Sequence, residues 1–351
     1  MEIKEFEKAK IFEKLKYEPE PSDYSGKIPW TVQQQIGATN GIHYLSLIGK
    51  LSEYPIPQIP IPKATTPNQI LLDIGCGWGR WLVAGGEKNY IPVGMDFRLE
   101  FCETALGTMQ DRGLKGYTIV ADLKSPPFKD EILDVIWSFS VIQHTHKSRL
   151  DSCIKEIARI LKKDGYCKLE FPNKNGLRNR LGPVKRVAAE KNDYNSWSVR
   201  YYSINEYKKI FDTFFDNFSV ENHSFLGIGV LDNDLDYIKN KKVRMEIQLS
   251  LFLSKLTHAI PPLKYYSDSI YIKSTKTTGG FNNSSVSDFL NRHQNNSRNN
   301  LNVLPILCCP ITKGDLVLTE DRKYLISKIA SKKFPIISNI PILVASQAEE
   351  L

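Results

Sequence analysis

Residues 70–80 read Ile-Leu-Leu-Asp-Ile-Gly-Cys-Gly-Trp-Gly-Arg. The first five are a nearly continuous apolar run, which is typical of a strand buried on both faces of a sheet. Glycines follow at every second position, Gly75, Gly77 and Gly79, and the sequence after them is helical in pattern. Because glycine has no Cβ, its backbone can approach a ligand closely at the carboxyl end of a strand. The stretch therefore predicts a parallel sheet with a ligand site at a glycine turn.

Short apolar runs continue to alternate with helical segments after this turn. Further strands are predicted at 91–95, 118–121, 133–139, 166–171, 218–225 and 269–273, with a helix at 148–161 and a helical insertion around 237–257. Apolar strands separated by helices indicate a sheet covered on both faces. The predicted fold class is α/β, a doubly wound Rossmann-like sheet with helices on both faces.

The composition along the chain predicts four segments. Residues 1–67 form a lead-in, with an amphipathic helix at 2–16 and a proline-rich stretch at 54–67. Residues 68–275 form the main domain. Residues 276–300 are rich in Asn, Ser, Thr and Gly and are predicted to be a flexible linker. Residues 301–351 have an apolar pattern of their own and are predicted to be a small α+β module.

Charge and cysteine usage narrow the class of protein. The 351 residues carry a net charge of +8, which favours anionic partners such as nucleic acid or anionic surfaces. The six cysteines are scattered except for Cys308 and Cys309, unlike a secreted disulfide framework. The first 16 residues lack the apolar core of a secretory signal, and no run of about 18 apolar residues occurs. We therefore expect a cytoplasmic protein without a transmembrane segment.

Acidic residues end the second and third predicted strands. Asp96 lies 17 residues after Gly79, close to the spacing at which a carboxylate accepts hydrogen bonds from ribose hydroxyls, and Asp122 ends the next strand. The glycine turn and both carboxylates then lie along one edge of the sheet, in a crevice suited to a nucleoside. A dinucleotide-dependent dehydrogenase is the main alternative. It is disfavoured because Arg80, Trp81 and Leu82 follow Gly79, and none of them supplies the third glycine of the Gly-x-Gly-x-x-Gly motif.

With these residues in place, Leu72-Asp73-Ile74-Gly75-Cys76-Gly77-Trp78-Gly79 resembles the first-strand motif of class I S-adenosylmethionine-dependent methyltransferases of the ubiquinone-biosynthesis or type 11 group. The resemblance covers roughly residues 70–275 and implies S-adenosylmethionine as the cofactor. It implies that Asp73 and the glycine turn surround the methionine part, that Asp96 holds the ribose, and that Asp122 receives the adenine. The implied cofactor-binding residues are Asp73, Gly75, Cys76, Gly77, Gly79, Asp96, Phe97, Asp122, Leu123 and Ser138.

One residue is a candidate for catalysis, and a group of four residues is a candidate for binding the methyl acceptor. Methyl transfer is a single displacement that mainly requires alignment, and a hydroxyl acceptor is helped by a base. His144, in the loop after the fourth strand, is the candidate base, with capping of the next helix or lining of the cofactor pocket as the alternative. Arg178, Arg180, Arg200 and Tyr201 are candidate substrate-binding residues, since arginines can hold a phosphate or carboxylate. A solvated basic face is the alternative.

The segments 301–318 and 333–343 resemble the activator subunit of tRNA, rRNA and release-factor methyltransferases and its small stand-alone bacterial relatives. In that family the module pairs with a methyltransferase and covers its apolar surface. We expect the module here to pack on the main domain in the same chain or in a homo-oligomer, by extending the sheet edge. Many relatives bind zinc, but Thr312 replaces a cysteine here, and Cys308 with Cys309 cannot supply four ligands. No metal site is predicted.

Two functional classes remain open at this stage, with a third less favoured. The first is methylation, mainly O-methylation, of a small molecule or biosynthetic intermediate such as a sugar, lipid or quinone precursor. The second is methylation of RNA or of a translation protein, which the basic charge and the activator-like module would allow. The third is a non-catalytic methyltransferase-like scaffold. The first is favoured because the sequence carries no dedicated RNA-binding motif.

Overall fold

The computed structural model describes residues 20–181, 199–226, 231, 233–277, 283–295 and 299–351. The helix predicted at 2–16 lies outside these residues. Seven strands of the main domain lie side by side in the order β6-β7-β5-β4-β1-β2-β3. They are β1 (Ile70–Ile74), β2 (Ile91–Asp96), β3 (Tyr117–Ala121), β4 (Leu133–Ser138), β5 (Leu161–Pro172), β6 (Asn217–Ser224) and β7 (Ser269–Thr275).

The direction of the strands agrees with the predicted fold class. Strands β1 to β5 run parallel, and β7 runs antiparallel to both of its neighbours, β5 and β6. Alternate residues of a strand point to opposite faces. Leu72 accordingly packs in one core cluster with Ile154, and Leu71 packs in another with Trp81. The α/β prediction, with a sheet covered on both faces, is confirmed.

The helices connect the strands and include the predicted insertion. They are α1 (Trp30–Thr39), α2 (Arg80–Gly86), α3 (Leu99–Asp111), α4 (Leu150–Ile160), α5 (Leu177–Leu181), α6 (Ile204–Phe211), α7 (Asp234–Tyr237), α8 (Lys241–Ala259) and α9 (Asn283–Asn295). The insertion between β6 and β7 contains α7, α8 and a 3-10 helix at Pro261–Tyr266. Within the described ranges, no helix is long and apolar enough to cross a membrane.

The proline-rich part of the lead-in lies on the sheet. Ile59 and Ile61 are buried in the same cluster as Leu71 and Trp81. The N–H of Ala64 donates to the carbonyl of Lys88, which follows α2. This segment therefore covers the face of the sheet on which α2 packs.

The expectation of a flexible linker at 276–300 is wrong for its central part. Residues Asn283–Asn295 form α9, in which Val286 and Phe289 are buried. The ring of Phe289 meets that of Tyr117 on β3 edge to face, with centroids 5.3 Å apart. The linker was predicted because the segment is mostly polar and contains few apolar residues. The i, i+3 spacing of Val286 and Phe289 places both on one face of an otherwise polar helix, so that this face can pack.

The C-terminal module continues the central sheet. Its strands are β8 (Val317–Leu318), β9 (Tyr324–Ser327), β10 (Lys332–Ile337), β11 (Ile340–Leu343) and β12 (Glu349–Glu350). Strands β8 to β11 are antiparallel neighbours, and β11 pairs in parallel with β3. The module therefore lies against the edge of the main domain in the same chain, and β3 is not an exposed edge strand.

Candidate active site

The glycine turn after β1 adopts a backbone that favours glycine. Gly75, Gly77 and Gly79 have φ values of 75°, 51° and 94°. A Cβ on Gly75 would lie 2.2 Å from a methyl of Val141, and one on Gly79 would lie 2.9 Å from the Cα of Ala105. A Cβ on Gly77 would meet no atom within 4 Å. Two of the glycines are thus needed for packing, whereas Gly77 borders open space beside the turn.

Asp96 fixes the end of β2 against this turn. The N–H of Gly77 donates to one carboxylate oxygen of Asp96 at 3.1 Å, and the N–H of Arg98 donates to the other at 3.2 Å. Burial raises the pKa of Asp96 to about 6, while the backbone hydrogen bonds oppose that shift. The side chain is therefore held in one orientation at the edge of the open space.

Asp73 is a buried carboxyl group without a hydrogen-bond partner. It lies on β1 with 1% of its surface exposed, and both of its oxygens lack a partner within the described part of the chain. Burial raises its pKa to about 8, with Arg80 lowering it and Asp96 raising it further. Buried polar atoms are normally satisfied. Two open acceptors next to a glycine turn fit a ligand that brings a cationic or hydroxyl donor.

Ser138 and Cys76 make buried hydrogen bonds around the glycine turn. The hydroxyl of Ser138 donates to the carbonyl of Ile74 at 3.0 Å, joining β4 to β1. The Cys76 thiol is buried, and its hydrogen bond with Cys102 together with burial raises its pKa well above the usual range. A thiol in this state is a packing group and not a nucleophile.

Asp122 follows β3 at the same edge as Asp96, because β2 and β3 are parallel and Asp96 pairs with Val120. Its side chain is 45% exposed, and its carboxylate accepts from the N–H of Lys124 at 2.9 Å. Leu123 is partly buried against the main core. The predicted adenine-side pair is therefore an accessible carboxylate beside an apolar side chain, and Phe97 follows Asp96 on the neighbouring strand.

His144 ends a short 3-10 helix, Ile142–His144, that follows β4. Arg200 is buried and bonds this loop: its N–H donates to the carbonyl of Gln143 at 2.9 Å, and its guanidinium donates to the carbonyl of His144 at 3.0 Å. Helix capping, the alternative considered for His144, is performed by His146, whose ring accepts from the N–H of Ser148. Arg200 therefore positions the backbone on which His144 lies.

The other residues predicted to bind the methyl acceptor differ in their exposure to solvent. Arg178 and Arg180 are exposed, whereas Tyr201 is buried. The N–H of Arg178 donates to Asp268 at 2.7 Å, and the guanidinium of Arg180 lies over the ring of Tyr266, 5.4 Å from its centre. Residues 182–198, which carry further basic side chains, lie outside the described residues.

A buried polar cluster around Arg80 was not predicted from the sequence. Arg80 begins α2, and its guanidinium lies 5.2 Å from the ring centre of Trp81 and 5.0 Å from that of Phe139. The ring of His223, on β6, packs 5.1 Å from that of Phe139 and 4.9 Å from that of Tyr271. Burial, with the charges of Arg80 and Lys168, lowers the pKa of His223 to about 3.

The Nε2 atom of His223 is buried and has no hydrogen-bond partner within the described ranges. Since β6 and β5 run in the same direction, His223 lies towards the carboxyl edge of the sheet, as the glycine turn does. Arg80 directly follows the last glycine of the motif, and this position could have marked it as a site residue. No pattern marked His223, which is distant in sequence.

Comparison with known proteins assigns the main domain. Residues 71–165 match the family model described as a methyltransferase domain. The chain is a methyltransferase. Its methyl donor is S-adenosylmethionine, and the open space at Gly77 with the unpartnered oxygens of Asp73 fits such a cofactor.

The methyltransferase also contains a stretch related to a family of small bacterial proteins. A UPF0434 protein of Pseudomonas paraeruginosa is 51% identical over 49 residues, which are 80% of that protein and 14% of this chain. Over this stretch the chain belongs to the UPF0434 family.

Two further proteins are similar to the methyltransferase over other lengths. A human protein named probable tRNA methyltransferase 9B is 35% identical over 96 residues, and the chain spans only 19% of its length. The YcgJ protein from Bacillus subtilis has a solved structure with 21% identity and a TM-score of 0.39. That alignment covers 60% of this chain and 93% of the YcgJ chain.

Proposed function

We propose that this methyltransferase transfers the methyl group of S-adenosylmethionine to an oxygen atom of a small molecule or biosynthetic intermediate. The observation that carries the proposal is the pair of buried carboxyl groups, Asp73 and Asp96, at the glycine turn where Gly77 borders open space. The buried rings of Phe139 and Tyr271 beside Arg80 favour an enclosed acceptor of small size.

Each cofactor contact is proposed from the chemistry of the side chain at that position. Asp73 would accept from the ammonium group of the methionine part, and Asp96 would accept from the ribose hydroxyls. Asp122 would accept from the adenine amino group, with Leu123 against the ring. Ser138 lies at the β4 end that would flank the methyl group, and Gly75, Cys76, Gly79 and Phe97 complete the cradle. When bound, the sulfonium supplies an activated methyl group.

On the acceptor side, His144 is proposed to take the proton of an acceptor hydroxyl. Arg200 would keep this loop in place, with its backbone N–H bonded to the carbonyl of Gln143 and its guanidinium bonded to the carbonyl of His144. Arg178, Arg180 and Tyr201 are proposed to contact the acceptor, the two exposed arginines by pairing with a negative charge.

The first experiment is calorimetric titration of S-adenosylmethionine and S-adenosylhomocysteine into the wild type and into Asp96→Ala. Loss of two charge-assisted hydrogen bonds should weaken binding by about 50-fold or more. Asp151→Ala, which removes an exposed carboxylate from α4, is the matched control and should bind as the wild type does. Equal affinity in Asp96→Ala would contradict the site, and no binding to the folded wild type would favour a scaffold.

Methylation of RNA is the second candidate function. It is favoured by the relative named probable tRNA methyltransferase 9B and by the net charge of +8. Titration of unmodified transfer RNA at several salt concentrations separates the two candidates, because each phosphate contact releases counterions. A binding constant that falls steeply with salt supports RNA as the acceptor, whereas weak binding with a flat dependence supports a small acceptor.

For residues 301–351 we propose an activator-like role within the same chain. The UPF0434 match is 49 residues long, close to the length of this module, and we infer that it lies there. The parallel pairing of β11 with β3 supports the role, because it covers a strand edge next to the site residues Asp96 and Asp122.

A further inference from the structure

Helix α8 has a buried inner face and an outer face that carries large apolar side chains. Its inner face buries Ile247, Ser250 and Thr257. On the outer face Met245, Leu249 and Phe252 are 64%, 48% and 59% exposed. Steps of four and three residues align them along one side of a helix. A surface helix normally presents polar residues to water. This row of large apolar side chains therefore indicates a binding surface.

The 3-10 helix at Pro261–Tyr266 extends this row with aromatic and basic groups. Ile260, Tyr265 and Tyr266 are exposed. The ammonium of Lys264 lies 5.4 Å from the ring centre of Tyr265, and the guanidinium of Arg180 lies at the same distance from that of Tyr266. We call Met245, Leu249, Phe252, Ile260, Tyr265 and Tyr266 the α8 surface.

The charges around the α8 surface are mostly positive. Residues 241–266 contain five basic residues and a single acidic one, Glu246. The basic residues are Lys241, Lys242, Arg244, Lys255 and Lys264. On a helical projection Lys241 and Lys255 flank one side of the apolar row, and Lys242 flanks the other. Lysines in this position can extend their ammonium groups past an apolar contact toward anions.

The α8 surface belongs to the segment that leaves the sheet near the cofactor site. Strand β7 is antiparallel to both β5 and β6, so β6 ends at the same edge as the parallel strands. The segment with α8 departs from that edge, where the glycine turn and Asp96 also lie. A partner held on the α8 surface would therefore be at the edge of the sheet that carries the site.

From these observations we propose that the α8 surface docks on an anionic lipid bilayer and that the acceptor is an amphiphile held in that bilayer. This rests on the proposed small-molecule methylation and specifies the class of acceptor. Apolar side chains flanked by lysines, with tyrosines beside them, are the composition of a helix lying in a membrane interface. A second copy of the chain would oppose lysines to lysines, and RNA offers no apolar phase to Met245 and Phe252.

The test is flotation of the full-length protein with lipid vesicles, in the absence of S-adenosylmethionine. Vesicles of phosphatidylcholine mixed with equal phosphatidylglycerol should carry the wild type, and phosphatidylcholine alone should bind about tenfold more weakly. Phe252→Glu should weaken binding to the mixed vesicles by about tenfold or more. Ile329→Glu, at a 74% exposed apolar position of the C-terminal module, is the matched control and should bind like the wild type.

Three outcomes would overturn the proposal: no flotation of the wild type, equal flotation of Phe252→Glu, or a dimer in light scattering that Phe252→Glu converts to a monomer. The last would assign the surface to a second copy of the chain. Calorimetric titration of S-adenosylmethionine into Phe252→Glu keeps the two proposals distinct. Retained cofactor binding with lost flotation supports docking, whereas flotation without cofactor binding in the wild type would refute the methyltransferase site alone.

Discussion

Ile342 of β11 pairs in parallel register with Val120 of β3, so the C-terminal module continues the sheet that carries the proposed cofactor site. Asn300 reinforces this join. Its side chain accepts from the N–H of Thr118 and donates to the carbonyl of Thr118, both at 2.8 Å, and donates to Asn339 at 3.0 Å. One buried amide therefore satisfies both backbone groups of Thr118 on β3 and holds the module beside this strand.

Replacing this amide tests whether the module stabilises the main domain. Asn300→Ala leaves the N–H and the carbonyl of Thr118 buried and unpaired, so we expect the free energy of unfolding to fall by about 2–4 kcal/mol. Asn217→Ala removes an exposed amide from the opposite edge strand, β6, and should cost less than about 0.5 kcal/mol. Urea unfolding measures both. Equal losses in the two variants would mean that the join contributes little.

Two variants of the glycine turn distinguish an effect on the stability of the fold from an effect on cofactor affinity. A Cβ at Gly77 meets open space, so Gly77→Ala should cost only about 1–2 kcal/mol for its positive φ yet weaken S-adenosylmethionine binding by about tenfold or more. A Cβ at Gly79 meets the backbone of Ala105, so Gly79→Ala should lower stability further, by about 3 kcal/mol or more. Thermal unfolding and calorimetry measure the two effects. Wild-type affinity in Gly77→Ala would contradict the proposed cradle.

The strands could be predicted, and the edge of the proposed cofactor site could be located, because their signals are local. The apolar run before Gly75 and the position of Asp96 at a strand end follow from residues close together in the sequence. The packing of α9 rests on two apolar residues in a polar segment, and the meeting of Arg80 with His223 depends on strand order. The pairing of β11 with β3 likewise depends on tertiary structure, for which the module's resemblance to activator proteins was the signal.

Cofactor binding should release a proton from Asp73. Burial raises its pKa to about 8, so at pH 7 the carboxyl group is mostly protonated in the free protein. An ammonium group placed against it favours the carboxylate, and about one proton should leave on binding. Calorimetry at pH 7 in two buffers of different ionisation enthalpy counts the protons. Asp73→Asn should bind more weakly and release almost none.

Asp96→Asn is the control for that measurement. The pKa of Asp96 is about 6, so its carboxyl group is already mostly ionised at pH 7 and should contribute little to the release. Proton release that persists in Asp73→Asn would place the titrating group elsewhere and would contradict the proposed contact between Asp73 and the ammonium group.

Protonation of His223 should lower the stability of the fold in mild acid, in opposition to Asp73 and Asp96, whose raised pKa values favour the folded state as the pH falls. Burial, together with the charges of Arg80 and Lys168, lowers its pKa from 6.5 to about 3 in the folded protein. Between these values the unfolded state binds the proton more strongly, so stability is full above about pH 6.5 and is lost as the pH falls toward 3. From pH 6.5 to 4.5 this single group should lower the free energy of unfolding by up to about 2–3 kcal/mol.

His223→Phe keeps a ring against Phe139 and Tyr271 but cannot take up a proton, so lowering the pH from 6.5 to 4.5 should raise its urea-unfolding free energy relative to that of the wild type. His258→Gln, at the exposed end of α8, is the control and should keep the wild-type pH dependence. If the difference in unfolding free energy between His223→Phe and the wild type does not change with pH, His223 does not carry the lowered pKa. A difference that grows toward pH 4.5, with an unchanged control, would identify His223 as a neutral imidazole in the buried cluster around Arg80.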